Sequence, residues 1–97
     1  STRVRSSAAS DVYKRQYYNR ANLLALSGQL PEAFEDYTRA VELNPDFAEA
    51  YYNRGLIQIF MKDTRKGCLD ISKAGELGIE GAYELLRRYA AEAAPAD

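Results

Sequence analysis

Apolar and small side chains recur at Tyr17, Ala21 and Leu24, and again at Leu23 and Leu26. This spacing is close to the helical period of about 3.6 residues and predicts a helix from about Val12 to Ser27. Gly28 suits the left-handed residue that ends such a helix. Pro31 suits the first turn of a second helix, where its missing N–H would have no intrahelical partner. That helix is expected from Pro31 to about Leu43, with Ala33, Phe34, Tyr37, Ala40 and Val41 facing inward. Asn44-Pro45-Asp46 breaks it, because the residue before proline avoids helical geometry. Asp46 is the expected N-cap of a third helix, Phe47 to Met61, with Glu49 completing a capping box. This helix would bury Tyr51, Gly55, Ile57 and part of Gln58. Asp63 or Thr64 caps a fourth, which carries Gly67, Cys68, Ile71 and Ala74 inward and closes at Gly78. A fifth, about Glu80 to Ala93, places Ala82, Leu85, Leu86 and Tyr89 on one side. From Ala91 to Asp97 the pattern fades and fraying is expected. No segment alternates with period two, so no sheet is expected.

The same pattern is written twice. Tyr17-Tyr18-Asn19-Arg20 returns as Tyr51-Tyr52-Asn53-Arg54, 34 residues later. Asp36 with Asp70, Ala40 with Ala74, Glu42 with Glu76 and Leu43 with Leu77 keep the register. Self-similarity at a fixed period marks a stack of supersecondary units.

Composition narrows the chemistry. The chain has 97 residues, a net charge of −1, one cysteine and no histidine. It is one domain at most, without the strong field that draws a protein to nucleic acid or anionic lipid. No apolar run approaches the roughly 20 residues that span a bilayer. One cysteine makes no internal disulfide, which leaves the compartment open. Cys68 lacks a histidine that could activate it and is expected to be a buried, inert thiol. Glu32, Glu35 and Asp36 suit the dipole at a helix start and a solvated face. Lys62, Arg65 and Lys66 are too few for nucleic-acid binding of any strength. No phosphate loop or metal-ligand spacing occurs, so no cofactor, no metal and no catalytic residue is expected.

The helix–turn–helix period of 34 residues, with small residues at set places, resembles the tetratricopeptide repeat. The family pattern asks for a large aromatic at the fourth place of the unit, met by Tyr17 and Tyr51. It asks for a small residue at the eighth, met by Ala21 and Gly55. Ala33, Tyr37 and Ala40 follow in unit one, and Gly67, Ile71 and Ala74 in unit two. Pro45 fills the turn between units. Ile79 replaces the second turn proline, Lys62 replaces the hairpin glycine seen at Gly28, and Gly67 and Gly75 are expected to weaken their helix by up to about 1 kcal/mol each. The resemblance implies an all-α, right-handed α-solenoid. Residues 14–47 and 48–81 form two repeats, and 82–97 form a capping helix and tail. Residues 1–13 are read as a non-native or disordered extension, because the stretch Ser6 to Gln16 resembles the conceptual translation of a sequencing adapter.

The resemblance also implies a function. The first helices of successive units would line a concave groove that holds a peptide or protein, without catalysis. By place in the unit, Arg15, Tyr18, Asn22 and Leu26 face it from unit one, and Glu49, Tyr52, Leu56, Ile59 and Phe60 from unit two. Tyrosine offers apolar area and a hydroxyl at low entropic cost, which suits recognition. The clamp that some relatives use for a chaperone's terminal carboxylate needs lysine and asparagine at these places. Asn22 fits, but Tyr18, Tyr52 and Leu56 do not. Asn19 and Asn53 are expected to hydrogen-bond within their hairpins. Arg20 and Arg54 are expected to pack on tyrosine and to pair with Asp36 and Asp70. Two alternatives stand beside the groove: a structural segment that stacks on further repeats or weakly self-associates through its N-terminal repeat edge, and a regulatory tail of a larger enzyme.

Overall fold

The computed structural model describes residues 2–93, with side-chain environments from Val12 to Tyr89. It contains five helices: α1 (Thr2–Leu26), α2 (Leu30–Leu43), α3 (Ala48–Phe60), α4 (Thr64–Glu76) and α5 (Ala82–Ala93). Each packs against the next along the chain, so the architecture is an all-α stack of helical hairpins, with no strand among the described residues.

Three helices end alike because a left-handed residue lets the last free carbonyls be bonded. At the end of α1, Gly28 has φ +82°. Its N–H donates to the Ala25 carbonyl at 3.0 Å, and the Gln29 N–H to the Leu24 carbonyl at 2.9 Å. This is the Schellman pattern. Gly78, at φ +110°, repeats it after α4. After α3 the same place is held by Lys62 at φ +72°, with the Asp63 N–H donating to the Gln58 carbonyl at 2.8 Å. A side chain in this conformation costs about 1–2 kcal/mol.

Several boundaries differ from the sequence pattern. Helix α1 begins at Thr2 and not near Val12, since no glycine or proline interrupts residues 2–16. Helix α5 begins at Ala82 and not Glu80, because Gly81 turns the chain with φ +86°. Its end at Ala93 is the one expected. Residues 94–97 of the expected tail lie outside the described residues. Asp46 is not an N-cap: Phe47 holds that place without a side-chain cap. The junction is closed instead by Asn44, whose Oδ1 accepts the Asp46 N–H at 3.2 Å. Asp63 is the N-cap residue of α4, also without a side-chain cap bond.

The core sits where hairpins cross. Ala21 and Ala33 are fully buried at the α1–α2 crossing. Their counterparts in hairpin two are Gly55 and Gly67, and there the backbones touch. A Cβ on Gly55 would lie 2.6 Å from the Gly67 carbonyl oxygen, and one on Gly67 would lie 2.5 Å from the Gly55 oxygen. Gly67 is therefore the condition for the crossing, whatever it costs α4 in propensity. Gly75 likewise receives the Tyr83 ring, 2.9 Å from where its Cβ would be. Helix α5 keeps the register of α3: Ala82 follows Ala48 by 34 residues, and both are buried. Tyr89 then stands in the place of Ala21 and Gly55. It offers a ring where a partner helix would need a small residue, so α5 caps hairpin two.

Gly55→Ala and Gly67→Ala should each destabilise the chain by about 1–3 kcal/mol through overpacking, although alanine is the better helix former. Lys62→Gly should stabilise it by about 1 kcal/mol, raising Tm by roughly 4 °C. Thermal and urea melts of the three variants check both.

Candidate interaction groove

Helices α1 and α3 meet through side chains. The Tyr18 ring lies 4.8 Å from the Phe47 ring and 5.8 Å from the Tyr37 ring, centroid to centroid. Asn53 Nδ2 donates to the Tyr18 hydroxyl at 3.1 Å and to Asn22 Oδ1 at 3.2 Å. The Tyr37 hydroxyl donates to the same Asn22 oxygen. Asn53 thus bonds across the two hairpins and not within its own. Burial, aided by neighbouring Tyr18, pushes the Tyr37 hydroxyl up to about 12.

A second polar set fixes each hairpin from another side. Arg20 grips Asp36 with two bonds, of 2.6 and 3.0 Å, and Arg54 grips Asp70 with 2.6 and 2.9 Å. Each guanidinium also lies over its tyrosine, 5.7 Å from the Tyr17 centroid and 5.6 Å from that of Tyr51. Asp36 is only 3% exposed, so it leaves the solvated acidic face expected for it. Hydrogen bonding to Asp70 raises the Arg54 guanidinium further above its ordinary range. Arg54 Nη1 also donates to Thr38 Oγ1 at 3.1 Å, which ties α3 to α2. Buried Gln58 donates to the same Asp70 carboxylate. Cys68 is half-buried and not enclosed.

Above the asparagine pair opens a cleft of about 420 Å³. Asn22, Leu26, Leu56 and Phe60 line it, together with Leu30 and Asn53. Leu26 is 85% exposed and Phe60 66% exposed. No charged side chain lines it. The remaining groove candidates sit elsewhere. Arg15, Tyr18 and Glu49 border a neighbouring, more polar depression with Lys14 and Phe47. Tyr52 borders a smaller one beside Leu85 and Arg88 of α5. Ile59 lies at the α3–α4 crossing, its Cγ1 2.7 Å from where a Cβ on Gly67 would stand. Sequence reasoning missed Leu30, hidden beside the helix-opening Pro31. It also missed Tyr37, whose core assignment concealed a hydroxyl at the cleft floor.

The family model described as the TPR repeat matches residues 21–59. Hsp70-Hsp90 organizing protein 3 of Arabidopsis thaliana is 42% identical over 52 residues, covering 54% of this chain and 9% of the relative. The Hsp70-Hsp90 organizing protein of Triticum aestivum is 38% identical over 52 residues, with the same 54% and 9% coverage. A UDP-N-acetylglucosamine--peptide N-acetylglucosaminyltransferase of Giardia intestinalis is 35% identical over 65 residues, covering 67% of this chain and 4% of the relative. The chain therefore spans 9% or less of the length of these three curated relatives.

Neutral Tyr37 is favoured in the folded state, since its pKa rises from about 10 to about 12. Its contribution is complete below pH ~10 and is lost as pH climbs through that window, by roughly 2–3 kcal/mol in all. Urea melts should show wild type losing more stability than Tyr37→Phe between pH ~9 and ~12.

Proposed function

Because the chain belongs to the tetratricopeptide-repeat family, we propose that it is a non-enzymatic module that receives a peptide or protein in the cleft between α1 and α3. One observation carries this reading: Leu26 and Phe60 stand exposed at the rim of an apolar cleft whose floor is a bonded asparagine pair. An apolar patch held open on rigid helices costs free energy in water, and such patches mark contact sites. Relatives whose name describes the organizing of Hsp70 and Hsp90 support a protein as the class of partner. The uncharged lining gives a terminal carboxylate no cation to meet, so an internal or amidated apolar segment suits it better. The glycosyltransferase relative, matched over 4% of its length, lends no activity to this segment. Among the described residues no helix is long and apolar enough to cross a membrane.

Peptides selected from a displayed random library against the wild-type chain provide the test. Leu26→Ser with Phe60→Ser should lower their affinity at least tenfold, equivalent to about 1.4 kcal/mol, with helicity unchanged by circular dichroism. Equal affinity for the double variant would remove the groove assignment.

A further inference from the structure

Two polar groups on the cleft floor are left over once the protein has made its own bonds. The Asn22 oxygen accepts from the Tyr37 hydroxyl and from Asn53 Nδ2. Asn53 gives its other amide hydrogen to the Tyr18 hydroxyl. Both hydrogens of Asn53 and the oxygen of Asn22 are thereby engaged. Among the described residues, nothing bonds the Asn22 amide nitrogen or the Asn53 oxygen. Among the same residues, no enclosed side-chain nitrogen or oxygen lacks a partner, so these two atoms are open to solvent. Both asparagines are half-buried and line the cleft. The floor thus offers a donor from α1 and an acceptor from α3, among the apolar side chains of Leu26, Leu56 and Phe60.

A group that fits this floor must accept and donate at one end and carry no charge. The lining holds no cation to meet a carboxylate and no carboxylate to meet an ammonium, and an unpaired charge is costly to desolvate. A saturated side chain would suit the walls but strand both floor atoms. A site built to hydrogen-bond its ligand discriminates against an analogue that lacks the bond. A single peptide group points its N–H and C=O in opposite directions. A hydroxyl carries its one hydrogen on its one oxygen, whereas the donor and acceptor of the floor stand on different helices. A carboxamide presents C=O and NH₂ side by side on separate atoms.

We propose that the cleft takes a glutamine side chain of the partner peptide. This rests on the groove reading above and narrows it to one residue type. Asn22 Nδ2 donates to the glutamine oxygen, and the glutamine nitrogen donates to the Asn53 oxygen. The methylene stem passes between the apolar walls, as the stems of other polar-headed side chains do. Glutamine is thus matched at both levels, an apolar stem for the walls and a carboxamide for the floor. The cleft of about 420 Å³ lies within the size of ligand sites, roughly 300–1,000 Å³. It therefore leaves room for apolar neighbours of the glutamine to cover Leu26 and Phe60.

Capped peptides, acetyl-Ala-Leu-Xaa-Leu-Ala-N-methylamide with glutamine, methionine or glutamate at Xaa, decide the matter by NMR titration of the full chain. The glutamine peptide should bind at least tenfold more tightly than either of the others and should move the side-chain amide signal of Asn22. Asn22→Asp keeps the oxygen that Tyr37 and Asn53 bond but replaces the free donor with an acceptor. It should erase the glutamine preference with circular dichroism unchanged. Equal binding of the glutamine and methionine peptides overturns the carboxamide and leaves the groove standing. So does equal binding of the glutamine peptide and a methionine peptide closed by a primary amide, since the carboxamide would then come from a chain end. A preference that survives Asn22→Asp overturns the assignment to the floor. Binding by none of the peptides also overturns the proposal, while the selected peptides and the Leu26→Ser, Phe60→Ser variant judge the groove separately.

Discussion

How closely two helices of a hairpin can approach governs this molecule. In hairpin one, methyl groups of Ala21 and Ala33 set the separation; in hairpin two, Gly55 and Gly67 remove even these, and backbone oxygens stand where a Cβ would be. Dense interiors tolerate neither voids nor overlaps. A change of one carbon at these places must therefore shift a whole helix. The neighbours follow from that separation: Ile59 and Ile71 reach the crossing from either side.

Close approach alone would leave the hairpins free to slide. Polar groups remove that freedom. Each Arg–Asp pair is bidentate, which demands direction as well as proximity. The second pair is the better enclosed, with side-chain exposures of 17% and 12% against 60% for Arg20. Arg54 also reaches Thr38 in the preceding unit, so one guanidinium fixes both a hairpin and the joint to its neighbour. The bonds joining Asn22, Tyr37 and Asn53 do the same from the groove side. The cleft thereby inherits a rigid floor, and its apolar rim is held apart by elements that cannot collapse onto it.

Helix order, the 34-residue period, the hairpin turn at Gly28 and both Arg–Asp pairs were legible in the residues, because each rests on local spacing or on exact recurrence. The groove was legible only in outline. Asn22, Leu26, Leu56 and Phe60 do come together, whereas Tyr52 turns to α5 and Ile59 to α4. Place within a repeat gives a side chain's direction from its own helix. It does not say which neighbour waits there, and hairpin one meets another hairpin where hairpin two meets a cap. Gly67 was legible as a small residue at its place in the unit, but not as a point of backbone contact: propensity concerns one helix, and a crossing depends on two.

By itself, the order of residues determined an all-α stack, its period and its pairings, since these arise from periodicities of a few residues and from one repetition. Tertiary structure alone decided that two glycines touch, that Asn53 bonds across hairpins, and that one cleft is apolar while its neighbour is not. Those outcomes depend on distances between segments remote in the chain, and distances of that kind are set by packing.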